Sequence, residues 1–194
     1  MNSQQSKKIL ILEDEERFAH AVSDNIIKKP QMTVWMILIP IILVYHIYRY
    51  QRYVKGRNSF AEYYLIMRRQ ALEEAYTSDA GNRKPDFAKL IKMSKAPNGT
   101  SKQCNAWLET IVGHYQHLFR AEGESYDALI RSSYKNRANY LLFLDKLNDV
   151  ERQFNAALKP YLEETAEGVD EIIFRMGKCS EELRKDQATR IFSV

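Results

Sequence analysis

The stretch Met32 to Tyr48, Met-Thr-Val-Trp-Met-Ile-Leu-Ile-Pro-Ile-Ile-Leu-Val-Tyr-His-Ile-Tyr, contains no Asp, Glu, Lys or Arg and constrains this chain more than any other. Lys28 and Lys29 precede it, and Arg49, Arg52, Lys55 and Arg57 follow it. A helix over this run is about 25 Å long, close to the hydrocarbon thickness of a bilayer. Trp35 near one end, with Tyr45, Tyr48, Tyr50 and Tyr53 near the other, matches an interfacial aromatic belt. The run reads as a membrane anchor within residues 30–54, with Trp35, Pro40, Tyr45 and Tyr48 as its anchoring side chains. A signal peptide is excluded, because the apolar run starts late and no small-residue cleavage site follows it. A single span is the first expectation, since spanning helices tolerate proline. The alternative is a monotopic or re-entrant helix kinked at Pro40, with both basic flanks on one side.

Charge supports the membrane reading. The net charge of +4 is uneven: residues 1–48 are balanced, 49–102 carry twelve Lys/Arg against five Asp/Glu, and 103–194 carry twelve against fifteen. The surplus sits beside the anchor, where each basic residue gains about 1 kcal/mol from anionic lipid. Arg49, Arg52, Lys55 and Arg57 are therefore the expected lipid contacts, and nucleic acid is not an expected partner. More Lys and Arg lie just after the apolar run than before it, which assigns the C-terminal part to the cytoplasm. Mean hydropathy of −0.48 makes the anchor a local exception in a water-soluble composition.

The rest is helical in period. Phe18, Val22 and Ile26, with Ala19, mark one face of a helix from about residue 12 to 27 that lies along the membrane or against a partner. Residues 1–8 are expected to fray. Lys7 to Ile27 superficially resembles the first strand and acidic pocket of a receiver domain, but the doubly wound sheet such a pocket requires has no room here. Phe60, Tyr64, Met67, Ala71 and Ala75 stripe a helix over about 58–77, a stalk within residues 55–80. Ser78 to Pro85 is a turn, Asp86 to Lys95 a short helix, and Ala96-Pro-Asn-Gly99 a second break. Cys104, Trp107, Leu108, Ile111, Val112, Tyr115, Leu118 and Phe119 then form a broad apolar face, closed by Gly123. Tyr126, Ile130, Ser133, Arg137, Tyr140, Leu144, Leu147, Glu151, Phe154 and Leu158 keep alternating 4–3 steps, which predicts one helix of about 50 Å ended by Pro160. Leu162, Val169, Ile172, Ile173, Met176 and Leu183 form the last stripe, and 184–194 a tail. The fold class is all-α: an N-terminal helix over 1–29, the anchor, the stalk, and an antiparallel bundle or coiled coil over 81–194.

Few residues point to chemistry. His114 and His117 share a helix face and are weak metal candidates, with Glu109 or Cys104 as a third ligand; the alternative is that they are ordinary interface polars. Cys104 and Cys179 lie in no metal or redox spacing and read as reduced thiols. There is no nucleophile elbow and no glycine-rich phosphate loop, so no catalytic residue and no cofactor is assigned, and an enzyme is not the leading reading. Arg137 and Glu151 are polar within the long stripe. Two copies packed antiparallel about Leu144 would pair them, with Tyr140, Leu144, Leu147 and Phe154 as the self-association face.

Lys29 through Tyr45, Tyr48-Arg-Tyr-Gln-Arg-Tyr53 and Arg68-Arg-Gln-Ala-Leu-Glu-Glu-Ala75 resemble an uncharacterised family of bacterial single-anchor membrane proteins over roughly residues 25–80. The resemblance implies topology and no activity. The expected function is a helical scaffold that oligomerises or recruits partners at the cytoplasmic face of a bacterial inner membrane. The alternatives are a small metal- or ligand-binding bundle centred on His114 and His117, and an accessory subunit of a larger membrane complex.

Overall fold

The computed structural model describes residues 3–26, 61, 64–94, 96, 97, 99–163 and 169–193, and everything regular among them is helix. The helices are α1 (Ser3–Ile26), α2 (residues 64–80), α3 (Phe87–Ser94), α4 (Ser101–Arg120), α5 (Tyr126–Tyr134), α6 (Arg137–Glu163) and α7 (Val169–Phe192). The anchor, with Trp35, Pro40, Tyr45, Tyr48, Arg49, Arg52, Lys55 and Arg57, lies outside the described residues. Among those described, no helix is long and apolar enough to cross a membrane.

The centre of the bundle is α4. All eight residues of its expected apolar face are buried, and α1, α3, α5 and α6 pack around it. On α3, Asp86 caps the helix by accepting from the Lys89 N–H at 2.9 Å, and Leu90 is buried. The pairs Trp107–Glu151 and His114–Phe143 make α4 and α6 antiparallel. Asn148–Arg184 and Arg137–Thr189 do the same for α6 and α7.

Several expectations are corrected. Rather than a separate surface helix with a frayed start, α1 begins at Ser3 and is a core element. Ile11, Ala19 and Val22 are buried, Lys7 Nζ donates to the Phe119 carbonyl at 3.0 Å, and Gln4 donates to Asp79. Nor is α2 a free stalk: Ala71, Leu72 and Ala75 enter the same core as α4. Lys8–Glu73 and Glu15–Arg68 set α1 and α2 antiparallel, Glu16 also pairs with Arg69, and Ala19 packs with Ala61 and Leu65. The single-span expectation falls on residues 33–48, outside the described residues.

The expected 50 Å helix is two. Lys135 takes φ 68°, its N–H bonding the Arg131 carbonyl, and Asn136 Oδ1 accepts from the Asn139 N–H at 2.9 Å to start α6. The apolar rhythm survives the break because both helices turn that stripe to the same core. At the far end α6 runs through Pro160 to Glu163, giving up one backbone bond. Between α4 and α5 the close crossing requires Gly123: a Cβ there would lie 2.8 Å from the Ala128 Cβ, at φ 156°.

The last helix reverses the expected order of burial. The supposed tail continues α7 to Phe192, with Ala188 and Ile191 buried. Of the expected stripe, Ile172 is exposed and Ile173, Met176 and Leu183 are half-buried, while Phe174, outside that stripe, is 70% exposed. Ile191→Ala should therefore cost about 2–5 kcal/mol in urea unfolding, whereas Phe174→Ala should change stability by less than about 0.5 kcal/mol. Equal losses would show that both ends of α7 are buried alike.

Candidate functional site: a charged cluster beneath an apolar groove

Four helices each place one charged residue where the apolar rhythm calls for a hydrophobe. Glu15 follows Ile11 and precedes Ala19 on α1; Arg68 sits between Leu65 and Leu72 on α2. Glu151 falls between Leu147 and Phe154 on α6, and Arg184 between Ser180 and Ala188 on α7. Helical spacing turns all four inward, and two cations meet two carboxylates. Arg68 Nη1 donates to both Glu15 oxygens at 3.0 and 2.8 Å, while its Nη2 reaches Glu151 Oε1 at 2.5 Å. Arg184 Nη1 meets Glu151 Oε2 at 2.7 Å. From α4, Tyr115 donates its hydroxyl to Glu15 at 2.7 Å and Trp107 its ring N–H to Glu151 at 3.2 Å. The Arg68 guanidinium lies 4.8 Å from the Tyr64 ring centroid, and that of Arg184 lies 5.2 Å from Phe18.

Burial and partners set the charges. Burial alone would raise the Glu151 carboxyl, but Arg184 and Arg68 outweigh it and hold it at about 2. Asp14, next to this cluster on α1, is raised to about 6, chiefly by burial, although Gln187 donates to it at 2.9 Å. One guanidinium nitrogen is left over: Arg184 Nη2 is buried without a hydrogen-bond partner.

Above the cluster, α2, α4, α6 and α7 enclose a groove of about 720 Å³, within the range of sites that bury a small ligand. Met67, Trp107, Phe154, Ile173, Phe174 and Met176 supply its apolar walls, and Arg68, Glu151 and Arg184 its floor. Trp107 and Phe154 stack with centroids 6.1 Å apart. Among the described residues that line it there is no histidine or cysteine. The floor holds the ion-paired Arg68, Glu151 and Arg184.

The other expected site residues fall elsewhere. His114 is buried; its Nδ1 lies 2.7 Å from the Tyr134 hydroxyl and its ring stacks on Phe143 at 4.4 Å. Burial pushes it down to about 3, so it is neutral at ordinary pH. Glu109 is bonded to Asn105 and Cys104 lies beside Ser94, and among the described residues no three His, Cys, Asp or Glu side chains gather as a metal site. The register-setting pair expected between two copies is replaced within one chain: Glu151 is taken by Arg68 and Arg184, and Arg137 donates to Thr189 at 3.0 Å. Tyr140, Leu144 and Leu147 are spent in the same core, while Phe154 is half-buried and lines the groove. Arg68, counted in the sequence with the basic flank of the anchor, is instead 4% exposed. Its place in the Leu65–Leu72 stripe was the signal for that burial.

Two predictions follow from these charges. Arg68→Met strands Glu15 and Glu151 in the interior and should cost about 3–5 kcal/mol by urea unfolding; adding Glu15→Gln should recover part of it. The pH dependence has opposing parts. His114 stabilises fully above 6.5, its unfolded value, and that contribution is lost as pH falls toward 3. Glu151 stabilises above 4.5 and loses its contribution toward 2, whereas Asp14 stabilises below 3.8 and loses its contribution as pH rises through 6. His114 and Asp14 therefore nearly cancel between pH 6 and 4.5; stability should fall by about 1.4 kcal/mol per pH unit from 4.5 to 3.8, where Glu151 adds one proton on unfolding, and by about 2.7 kcal/mol per unit from 3.8 to 3, where Asp14 is protonated in both states. In Asp14→Asn the His114 contribution stands alone, and urea midpoints should already fall from pH 6.5 downward, by about 1.4 kcal/mol per unit. A flat profile in that variant would contradict the assignment.

No protein-family model, curated protein or solved structure matches this chain, so the resemblance noted for residues 25–80 stays an expectation.

Proposed function

We propose that this is a membrane-tethered, non-enzymatic helical binding protein, held at a bilayer by residues 33–48 and working through the groove between α2, α4, α6 and α7. The observation that carries the reading is the groove: apolar walls over a buried floor of fixed charges. The stacked His114 and its tyrosine partner favour the groove over the histidine pair as the place where a ligand is held.

The tether is the re-entrant or monotopic form. The packing of α1 against α2 supports this form: with both helices on one side of the membrane, the anchor turns back at Pro40 and Lys28, Lys29, Arg49, Arg52, Lys55 and Arg57 all lie at one surface. Two arms of seven or eight residues reach about 10–12 Å, the depth of an interfacial segment. The cytoplasmic face of a bacterial inner membrane is the setting that the basic surplus fits. Scaffolding then means presenting a ligand-loaded or partner-loaded groove at that surface.

Topology tests this directly. Reporters fused to the two ends of the full chain should report the same side of the membrane, and the protein should sediment with membranes. Ile39→Arg with Leu43→Arg should release it, since each charge deep in the apolar layer costs about 2.5–3.5 kcal/mol. Reporters on opposite sides, or wild-type protein that remains soluble, would refute the tether.

A further inference from the structure

The groove and its floor differ in what they lack. Phe174 presents apolar surface to water at one wall, an arrangement that gains from being covered. At the floor, Arg184 is 3% exposed, with Nη1 shared between Glu151 and Asn148 and Nη2 unpartnered. A buried guanidinium N–H without an acceptor is costly, and a planar carboxylate is the acceptor its geometry fits best. Arg68 and Arg184 are balanced by Glu15 and Glu151, and the outer lining carries Arg152 and Lys178 against Glu181.

We propose that the groove binds a long-chain amphiphile with one anionic head, a fatty carboxylate, its head at the Arg184 guanidinium, which turns its buried Nη2 toward the ligand, and its tail along Trp107, Phe154, Ile173 and Phe174. The inference rests on the tethered-binding reading only for its supply, since a protein held at a bilayer meets such molecules at high local concentration. Arg184 also borders a cavity of about 30 Å³ behind the floor, lined by Asp14 and Gln187, which is room for one water. If a water there satisfies Nη2, the head has no special partner, and an uncharged tail should bind as well as an acid.

Gly177 gives a variant that spares the core. It lines the groove, and a Cβ added there meets no atom within 4 Å. Gly177→Phe therefore fills the groove while improving helix propensity. Trp107 is a built-in reporter, because the chain has two tryptophans and Trp35→Phe leaves it alone. In that background the full chain, held in phosphatidylcholine nanodiscs, is titrated with 9,10-dibromostearate, whose bromines quench a tryptophan they touch. Saturable quenching is expected, at least about tenfold weaker in Gly177→Phe and for the dibromostearyl alcohol. Arg184→Lys, which keeps the charge but loses the fork, should weaken the acid and leave the alcohol unchanged. Equal binding of acid and alcohol would overturn the anionic head while leaving a groove for an uncharged ligand. Quenching that is absent, or unchanged in Gly177→Phe, would overturn the ligand assignment altogether. The tether is judged separately by the reporters, so failure of the ligand and failure of the membrane reading are told apart.

Discussion

The bundle depends on Arg68. Its guanidinium ties Glu15 on α1 to Glu151 on α6, and Glu151 passes the connection on to Arg184 on α7. Four helices far apart in sequence are thus fixed by one chain of charge-assisted bonds, with Tyr115 and Trp107 of α4 closing the remaining acceptor positions. Such a network is a poor source of net stability, because the desolvation of four charges offsets most of the attraction. Its effect is on register. A helix slid by one turn would carry its charge away from its partner and leave two others buried alone, a penalty that a smooth Leu and Ala stripe would not impose. Small residues such as Ala19, Ala61, Ala71, Ala75 and Ala188 let the helices approach but say little about alignment; the charges supply what they omit.

The parts of the fold legible in sequence were those governed by local period. The α4 face was readable because eight hydrophobes recur at three and four and all are buried. The short α3, with an acidic cap before it and Leu90 inward, was readable for the same reason. Period alone cannot see a break that preserves phase. Lys135 and Asn136 interrupt the helix while the residues on either side still face the core, so the 4–3 rhythm ran straight across. Nor can it rank two amphipathic halves of one helix. On α7 the half with more large hydrophobes is the exposed one, and the half carrying Arg184, Ala188 and Ile191 is buried, because the partners of that half lie on α1 and α6.

The site was half visible. Glu151 stood out as a charge in an apolar stripe, but its companions passed unnoticed, since Glu15 sits among other acids and Arg68 beside Arg69. Balance was the missing criterion: stripe positions holding two acids and two arginines on four different helices describe a neutral buried cluster, whereas each taken singly reads as a solvated face. The histidines drew attention by type, although their surroundings, Tyr134 and Phe143, are aromatic and hold His114 neutral.

The same non-local packing decides how the apolar run can meet a membrane. Hydropathy and flanking charge describe residues 33–48 in isolation and favour a span, because the length is nearly right and the basic surplus is asymmetric. A span also has consequences for what it connects. It would carry α1 away from α2, breaking the ion pairs from Glu15 and Glu16 and exposing Ile11, Ala19 and Val22. Taking Glu15 away would leave Arg68 with one carboxylate fewer in the interior, before any apolar area is counted. The re-entrant anchor we propose would lose none of this, and Pro40 lies near the middle of the run. For that proposal the contacts of α1 weigh more than the length of the apolar run.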